Sequence, residues 1–357
     1  MLLAAHWIAA ENTSPAFPAP ASAPFGQYIF DTFGTEFDLP QTNVTAACQT
    51  RDGYLWVGTE AGLGRFDGVR FVAFKRSNTP VFASNQSIRR LFEDADGALW
   101  IATESGVLRH RAGVFQHIGL QGMIVTAIAQ DRAGRMWFGT EGRGLHTFEN
   151  GEFRSFENNP AMLGPTVRGL FVDSTNRVWI GFARSPGVVY YENGQFHFKD
   201  IGGSEARETF AIAEWPRDTL WFGCGRGLYR LHNGELVRLD KEKALPNPQV
   251  TDLLPTRDGG LWVVAASVLH VSQTAPFDYV QIPRLPANSP RTIMEDREGS
   301  LWICAHHDGL TGARRTFYRT LTTDDGLPGN GIKAVSQDLS GNTWLAIQAR
   351  GLARLTP

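Results

Sequence analysis

Ten side chains with chemical potential recur at one place in this 357-residue chain, a few positions after a tryptophan. They are Glu60, Glu104, Glu141, Arg143, Arg184, Arg226, Arg350 and the run His306-His307-Asp308. Arginine forks grip carboxylates or phosphates through two parallel hydrogen bonds, and glutamates accept sugar hydroxyls. An anionic saccharide built from uronic acids fits that inventory. The plainer account of any one of these residues is a loop tip that faces water. His306-His307-Asp308 could hold a metal or supply acid–base chemistry, because histidine titrates near neutrality. Neighbouring residues on a strand point to opposite faces, so two successive imidazoles on a strand do not easily serve one ion. A mononuclear site would then need Glu60, Glu104 or Glu141 as further ligands, and a polar surface histidine is the simpler reading. No Ser-His-Asp order, phosphate loop or helical metal motif appears. Neither catalysis nor a cofactor is therefore expected.

These residues are positioned by a repeat. Trp56, Trp100, Trp137, Trp179, Trp221, Trp262, Trp302 and Trp344 are spaced by 44, 37, 42, 42, 41, 40 and 42 residues. Their immediate neighbours are apolar, as in Leu55 and Val57 or Leu301 and Ile303. Only Thr343 and Leu345 weaken the pattern. A short apolar run between turn signals reads as a strand buried on both faces. Three residues before each tryptophan stands Gly, Asn or Asp, the types that best tolerate positive φ, so a hairpin turn is expected there. Asp94, Asp131, Asp173, Asp296 and Asp338 open that turn, where a carboxylate can accept turn N–H groups. Small residues follow two positions after most of the tryptophans, Gly58, Ala102 and Gly139 among them. A second turn leads to Gly-Leu or a variant, and further strands follow. The first unit reads as strands at 44–49, 55–59, 63–66 and 71–74.

Four short antiparallel strands repeated about every 40 residues are the signature of an all-β propeller. The tryptophans would fill the space between neighbouring blades. The eighth unit offers three strands, and Tyr28–Phe33 (YIFDTF) is a candidate for its fourth, which would close a ring of eight blades and cover an open edge. Seven blades plus a leftover unit is the alternative. On this reading residues 25–357 form the propeller. In a propeller the turn after the tryptophan strand and the loop entering the next blade open on one face, around the channel mouth, which is the default ligand site. The ten residues named above lie on that face.

Composition narrows the partners. The chain is 42% hydrophobic, with a formal net charge of −2 and 38 glycines. No global field recruits nucleic acid or an anionic membrane surface. Cys48, Cys224 and Cys304 are odd in number and widely spaced, against a disulfide framework or a zinc site. No run of about 20 apolar residues would span a bilayer. Met1–Ala10 is short and apolar, and Ala21-Ser22-Ala23 resembles a small-residue cleavage site, but no basic segment precedes them. Residues 1–24 therefore read as the remnant of an export signal or as a disordered tail. An export signal implies a periplasmic or extracellular location.

The stretch Thr50–Phe71 (TRDGYLWVGTEAGLGRFDGVRF) resembles the two-component regulator propeller family. Gln27–Gln41, Asp131–Thr140 (DRAGRMWFGT) and Asp324–Asn330 (DDGLPGN) carry similar phrases, and the resemblance extends over residues 25–357. It implies an extracytoplasmic sensor region. In that family such a region stands upstream of a transmembrane helix and an output module, and ligands are often oligosaccharides. The sequence shows no such helix, kinase module, DNA-binding helix pair or following β-sandwich. The resemblance thus implies a free-standing binding protein or a truncated sensor, whose partners are a small-molecule or oligosaccharide ligand, an output module in trans or in a longer chain, and a second copy in a homodimer. Two other readings stay open: a propeller enzyme of the lyase or lactonase kind with a channel-mouth metal, and a protein-interaction platform.

Overall fold

The computed structural model describes residues 28–355, except 83–86, 163, 165, 186, 203–205, 207, 240–248, 258, 272–278, 283–284, 316–320 and 324–325. The N-terminal segment 1–24 lies outside the described residues, as does part of the Asp324–Asn330 phrase. The described chain is all-β: seven antiparallel sheets have four strands and one has three. The first sheet runs Val44–Gln49, Leu55–Thr59, Gly62–Phe66, Phe71–Phe74. That matches the sequence reading to within a residue.

One carboxylate explains the shape of most repeats. Asp131 Oδ1 accepts the N–H groups of Ala133 and Arg135, both at 3.0 Å, which fixes the turn. Its Oδ2 accepts the indole N–H of Trp137 at 2.9 Å, which fixes the buried strand to that turn. Asp94, Asp173 and Asp296 repeat this geometry with Trp100, Trp179 and Trp302, at 2.7, 2.8 and 2.8 Å. Thr50 Oγ1 takes the role for Trp56 at 3.0 Å, and the Trp215 carbonyl takes it for Trp221. The turn residue sits at positive φ as expected, whether Gly134 (85°), Asn176 (70°) or Asp218 (65°). The small residues after the tryptophans have a specific cause. A Cβ on Gly139 would lie 2.5 Å from Val167 Cγ1, and one on Gly58 would lie 2.5 Å from Ile88 Cγ2. Val167 and Ile88 open the first strand of the following sheet, so the glycine is where that sheet abuts.

The chain divides into two compact units, Phe30–Arg314 and a second that contains Arg315–Pro357. The larger unit holds seven sheets. Each first strand packs against the first strand of the next sheet. The seventh of these strands, Pro290–Glu295, packs against Val44–Gln49 of the first sheet. A repeated clasp joins neighbouring turns. Arg51 N–H donates to Glu93 Oε1, and its Nη1 to the Ala95 carbonyl, each at 2.8 Å. Arg257 does the same toward Glu295 and Arg297 of the seventh sheet, at 3.1 and 2.9 Å. Arg297 in turn donates to Gln49 Oε1 and to the Arg51 carbonyl, each at 2.8 Å. The seventh sheet thus clasps the first with the bonds used elsewhere between neighbours, and this unit is a closed seven-bladed ring.

This corrects the eight-blade reading. Tyr28–Phe33 pairs with Leu310–Arg315 of the seventh sheet and completes it, not the eighth. The physical reason lies in Phe33. Its ring packs at 5.0 Å from Phe66, 6.2 Å from Phe71 and 5.8 Å from Trp302, filling the seam where the first and seventh sheets meet. Asp31 adds an ion pair to Arg314. The eighth repeat forms the other unit, a three-stranded sheet of Ile332–Gln337, Thr343–Ile347 and Gly351–Leu355. Leu327, Leu345, Ile347 and Ala353 make its small core. Trp344 donates to Asp338 Oδ2 at 2.9 Å, and that indole and the Asn342 side chain hold the Asp338 carboxyl down at about 2.

Two outcomes test this account. A chain ending at Arg315 is expected to keep a single cooperative melt, since the seven-bladed ring closes without the eighth repeat; loss of cooperativity would restore the eight-bladed ring. Asp131→Ala strands a buried indole N–H and two turn N–H groups, and is expected to cost about 3 kcal/mol in urea unfolding.

Candidate functional site

The turns that follow the tryptophan strands are tied to the segments that enter the first strands of the same sheets. Glu60 N–H donates to the Asn43 carbonyl at 3.3 Å, Glu104 N–H to Ser87 at 3.2 Å, and Glu141 N–H to Ile124 at 2.9 Å. Ala183, Gly225 and His306 make the same bond to Thr166, Glu208 and Ser289, at 3.0, 2.9 and 3.0 Å. Each turn therefore sits beside the start of a first strand. The first strands close on one another, so Glu60, Glu104, Glu141, Arg143, Arg184, Arg226, His306, His307 and Asp308 surround one end of the ring. Arg350 is not among them. It lies in the eighth repeat, where its N–H donates to the Ile347 carbonyl at 3.1 Å, and it belongs to the other unit.

The acidic members of this rim are engaged within the protein. Glu104 pairs with Arg89. Glu141 pairs with Arg168 of the next sheet at 3.5 Å. Glu60 Oε2 accepts Asn43 Nδ2 at 3.0 Å, and Asn43 Oδ1 accepts His307 N–H at 2.9 Å, a chain that bridges the seam between first and seventh sheets. Asp308 Oδ2 accepts the Asn288 N–H at 2.8 Å. The basic members are freer. Arg143 makes a 3.3 Å pair with Glu157 at the surface. Arg184 and Arg226 are exposed and form no ion pair among the described residues. Surface pairs of this kind are worth at most about 1 kcal/mol, so the free guanidiniums set the character of the rim.

His306 and His307 do not lie on a strand. His307 adopts φ 75°, in the left-handed region, and the two rings meet edge-on with centroids 3.7 Å apart. The expectation of opposite faces is corrected by this turn, which brings both imidazoles together. Burial, then the nearby Arg291 and His307, push the His306 imidazole below its ordinary value, and Glu60 partly offsets them. Among the described residues no three His, Cys, Asp or Glu side chains come close enough to share a metal ion.

Sequence reasoning missed a second layer. A β-bulge interrupts the first strand of most sheets, between Val44 and Ala46, Ile88 and Arg90, Val125 and Ala127, Val167 and Gly169, and Pro290 and Thr292. The bulged residue is re-aimed. At Thr45 and Thr126 its hydroxyl donates to the next sheet, to the carbonyls of Ile88 at 2.7 Å and Val167 at 2.6 Å. At Arg89, Arg168 and Arg291 it is a guanidinium. The signal was a charged residue one step inside an apolar strand, which the two-residue strand period hides.

One residue further on, each first-strand side chain pairs with the residue two after a tryptophan. That position is Ala46, Ala127, Gly169 or Ala211 in four sheets, but Arg90 in the second, Asp252 in the sixth and Thr292 in the seventh. Asp252 Oδ2 accepts Thr292 Oγ1 and the Ile293 N–H at 3.0 Å, while Oδ1 accepts the Leu253 N–H at 3.0 Å. Burial pushes the Asp252 carboxyl up, and the hydrogen bonds and Arg90 pull against that. Cys304, beneath it, is a buried free thiol pushed up by its burial.

Comparison with known proteins agrees with the resemblance read from the sequence. The model of the two component regulator propeller family matches residues 38–61, 83–105 and 119–142. No curated protein matches. Among solved structures, the extracellular domain assigned to a hybrid two component system of B. thetaiotaomicron aligns with a TM-score of 0.71 at 16% identity, over 92% of this chain and 54% of that one. The extracellular domain assigned to a one component system of the same organism gives 0.68 at 20% identity, over 93% and 46%. This chain thus spans about half the length of those domains. Virginiamycin B lyase from Staphylococcus aureus gives 0.66 at 17% identity, over 80% of this chain and 99% of the lyase. At these identities the likeness is one of fold.

The depressed His306 sets a pH dependence. Its folded value lies below the ordinary 6.5, so the folded state resists protonation and loses stability relative to the unfolded chain as pH falls below 6.5. NMR titration is expected to place His306 below 6.5, and lower still in Glu60→Gln; a value at or above 6.5 would contradict the placement of Arg291 beside it.

Proposed function

We propose that this chain is the ligand-binding part of an extracytoplasmic sensor in a two-component-type signalling system, that it is non-catalytic, and that its ligand is an acidic oligosaccharide held at the rim. One observation carries the ligand class. The rim glutamates are spent on Arg89, Arg168 and Asn43, which leaves Arg184 and Arg226 as open guanidiniums around a mouth in a chain of net charge −2. Forked donors at several points of a ring suit a polymer of carboxylates better than a single small anion. The family match and the extracellular domains among the structural neighbours support the sensor role and a location outside the cytoplasm. A ligand spanning several blades would favour one arrangement of the ring or one pairing of two copies, and an output module in a longer chain or in trans would read that change. Residues 1–24 would serve as the export segment.

The lyase among the neighbours keeps an enzyme reading in view, with His306 and His307 as its paired imidazoles. Metal analysis of the purified protein separates the two: a stoichiometric divalent ion lost to chelator together with ligand turnover would replace the sensor by the enzyme.

Calorimetric titration with oligogalacturonates and with neutral oligosaccharides tests the sensor reading. Acidic oligomers are expected to bind, neutral ones to bind far more weakly, and Arg184→Ala or Arg226→Ala each to weaken binding about tenfold, or ~1.4 kcal/mol. Undiminished binding in both variants would remove the rim assignment.

A further inference from the structure

The β-bulge re-aims one side chain in the first strand of most sheets, and in the second, fourth and seventh sheets that side chain is a guanidinium. The protein itself answers the first two. Arg89 pairs with Glu104 of its own sheet, and Arg168 pairs with Glu141 of the preceding sheet at 3.5 Å. Each glutamate stands four residues after a repeat tryptophan, Trp100 or Trp137. For Arg291, in the seventh sheet, the same two positions hold His306 of its own sheet and Ala266 of the preceding one. Neither is an acid. Among the described residues the Arg291 guanidinium forms no ion pair and no hydrogen bond, while its carbonyl accepts Thr251 Oγ1 at 3.1 Å. The nearby acids are already engaged. Glu60 Oε2 accepts Asn43 Nδ2 at 3.0 Å, Asp308 Oδ2 accepts the Asn288 N–H at 2.8 Å, and Asp252 is held by Thr292 and the Ile293 N–H. Arg291 is half-buried, so its charge has given up part of its hydration without gaining a counter-ion.

Beside this fork stands a turn that is fixed in advance. His306 N–H donates to the carbonyl of Ser289, two residues before Arg291, at 3.0 Å. His307 N–H donates to Asn43 Oδ1 at 2.9 Å, across the seam with the first sheet. The turn is thus pinned from both sheets, and His307 at φ 75° brings the two rings to 3.7 Å between centroids. His306 is half-buried and His307 exposed. A neutral imidazole carries one N–H donor and one acceptor, so the pair can serve hydroxyls next to a bound carboxylate. A ligand that meets a turn already pinned has less ordering to impose on the protein.

We propose that Arg291, His306 and His307 form a carboxylate subsite at the seam between the seventh and first sheets, where Arg291 takes one uronate carboxylate through two parallel hydrogen bonds and the imidazoles take hydroxyls of the same sugar. The ligand's carboxylate stands where Glu104 and Glu141 stand for Arg89 and Arg168. The subsite rests on the reading of an acidic oligosaccharide at the rim, and deepens it by naming the seam that grips one of its charges. Specificity comes from the combination. A neutral sugar leaves Arg291 without its counter-ion, and a guanidinium that already has a glutamate has no fork to offer.

Calorimetric titration of the whole chain with trigalacturonate tests the assignment. Arg291→Gln is expected to weaken binding at least tenfold, and Arg291→Lys, which keeps the charge without the fork, to give an intermediate loss. His306→Glu supplies the missing acid from within, as Glu104 does for Arg89, and is expected to weaken binding at least tenfold while the melting temperature holds or rises. That variant separates binding from folding if Arg291→Gln melts early. Arg217→Gln removes one positive charge from an exposed turn before Trp221 and is expected to leave binding unchanged. Undiminished binding in Arg291→Gln or in folded His306→Glu would overturn the subsite, as would an equal loss in Arg217→Gln. If Arg184→Ala or Arg226→Ala weakens trigalacturonate and the Arg291 variants do not, the subsite falls and the rim reading stands. If trigalacturonate fails to bind the unaltered chain, both fall.

Discussion

A buried indole N–H needs an acceptor, and in this protein most of the other structural choices follow from where that acceptor comes from. Burying an unpaired donor costs on the order of 1–3 kcal/mol, and the ring buries one for each repeat. An aspartate six residues upstream supplies the acceptor with one oxygen and shapes the hairpin with the other. The same short turn then offers its backbone N–H to a side chain of the next sheet. Turn, strand and seam are therefore held by a single connected set of bonds. Neighbouring sheets cannot drift apart without breaking the clasp, and the clasp cannot form unless the turn is made.

Much of this was legible because it repeats. Eight similar phrases average away the noise of any one of them, so strand limits such as 44–49 and 55–59 could be read within a residue. The double duty of Asp131 was half legible: its turn role follows from spacing, whereas its bond to Trp137 is a fact of side-chain direction. Ring closure was not legible. The segment 28–33 has the alternation of an outer strand, and every sheet edge in the chain offers it the same backbone. What selects the seventh sheet is Phe33 meeting Phe66, Phe71 and Trp302, a three-dimensional fit between residues from both ends of the ring.

The site was legible where the copies differ in their turns and hidden where they differ inside strands. Arg184, Arg226 and His306-His307 stand out because the turns around them vary. Arg89, Arg168 and Arg291 escaped notice because an alternating strand is expected to carry polar residues on one face, and only the bulge reveals that theirs is the mouth of the ring. Arg90 and Asp252 escaped for a related reason: a strand position has no chemical reading until the strand that faces it is known. The consequence is a division of labour. The repeat supplies an almost neutral frame, and a few substitutions at equivalent positions convert its interior into a polar one without altering the frame.

The strand that completes the seventh sheet has a consequence for how the molecule is made. Asp31 and Arg314 are 283 residues apart, so the strand Tyr28–Phe33 is made long before the strand it pairs with. Until then the nascent chain carries an unpaired strand and an incomplete seventh sheet, and the ring stays unlatched. Such a long-range join slows folding far more than it affects final stability. The ring becomes a latched object only once both of those strands have been made and have met.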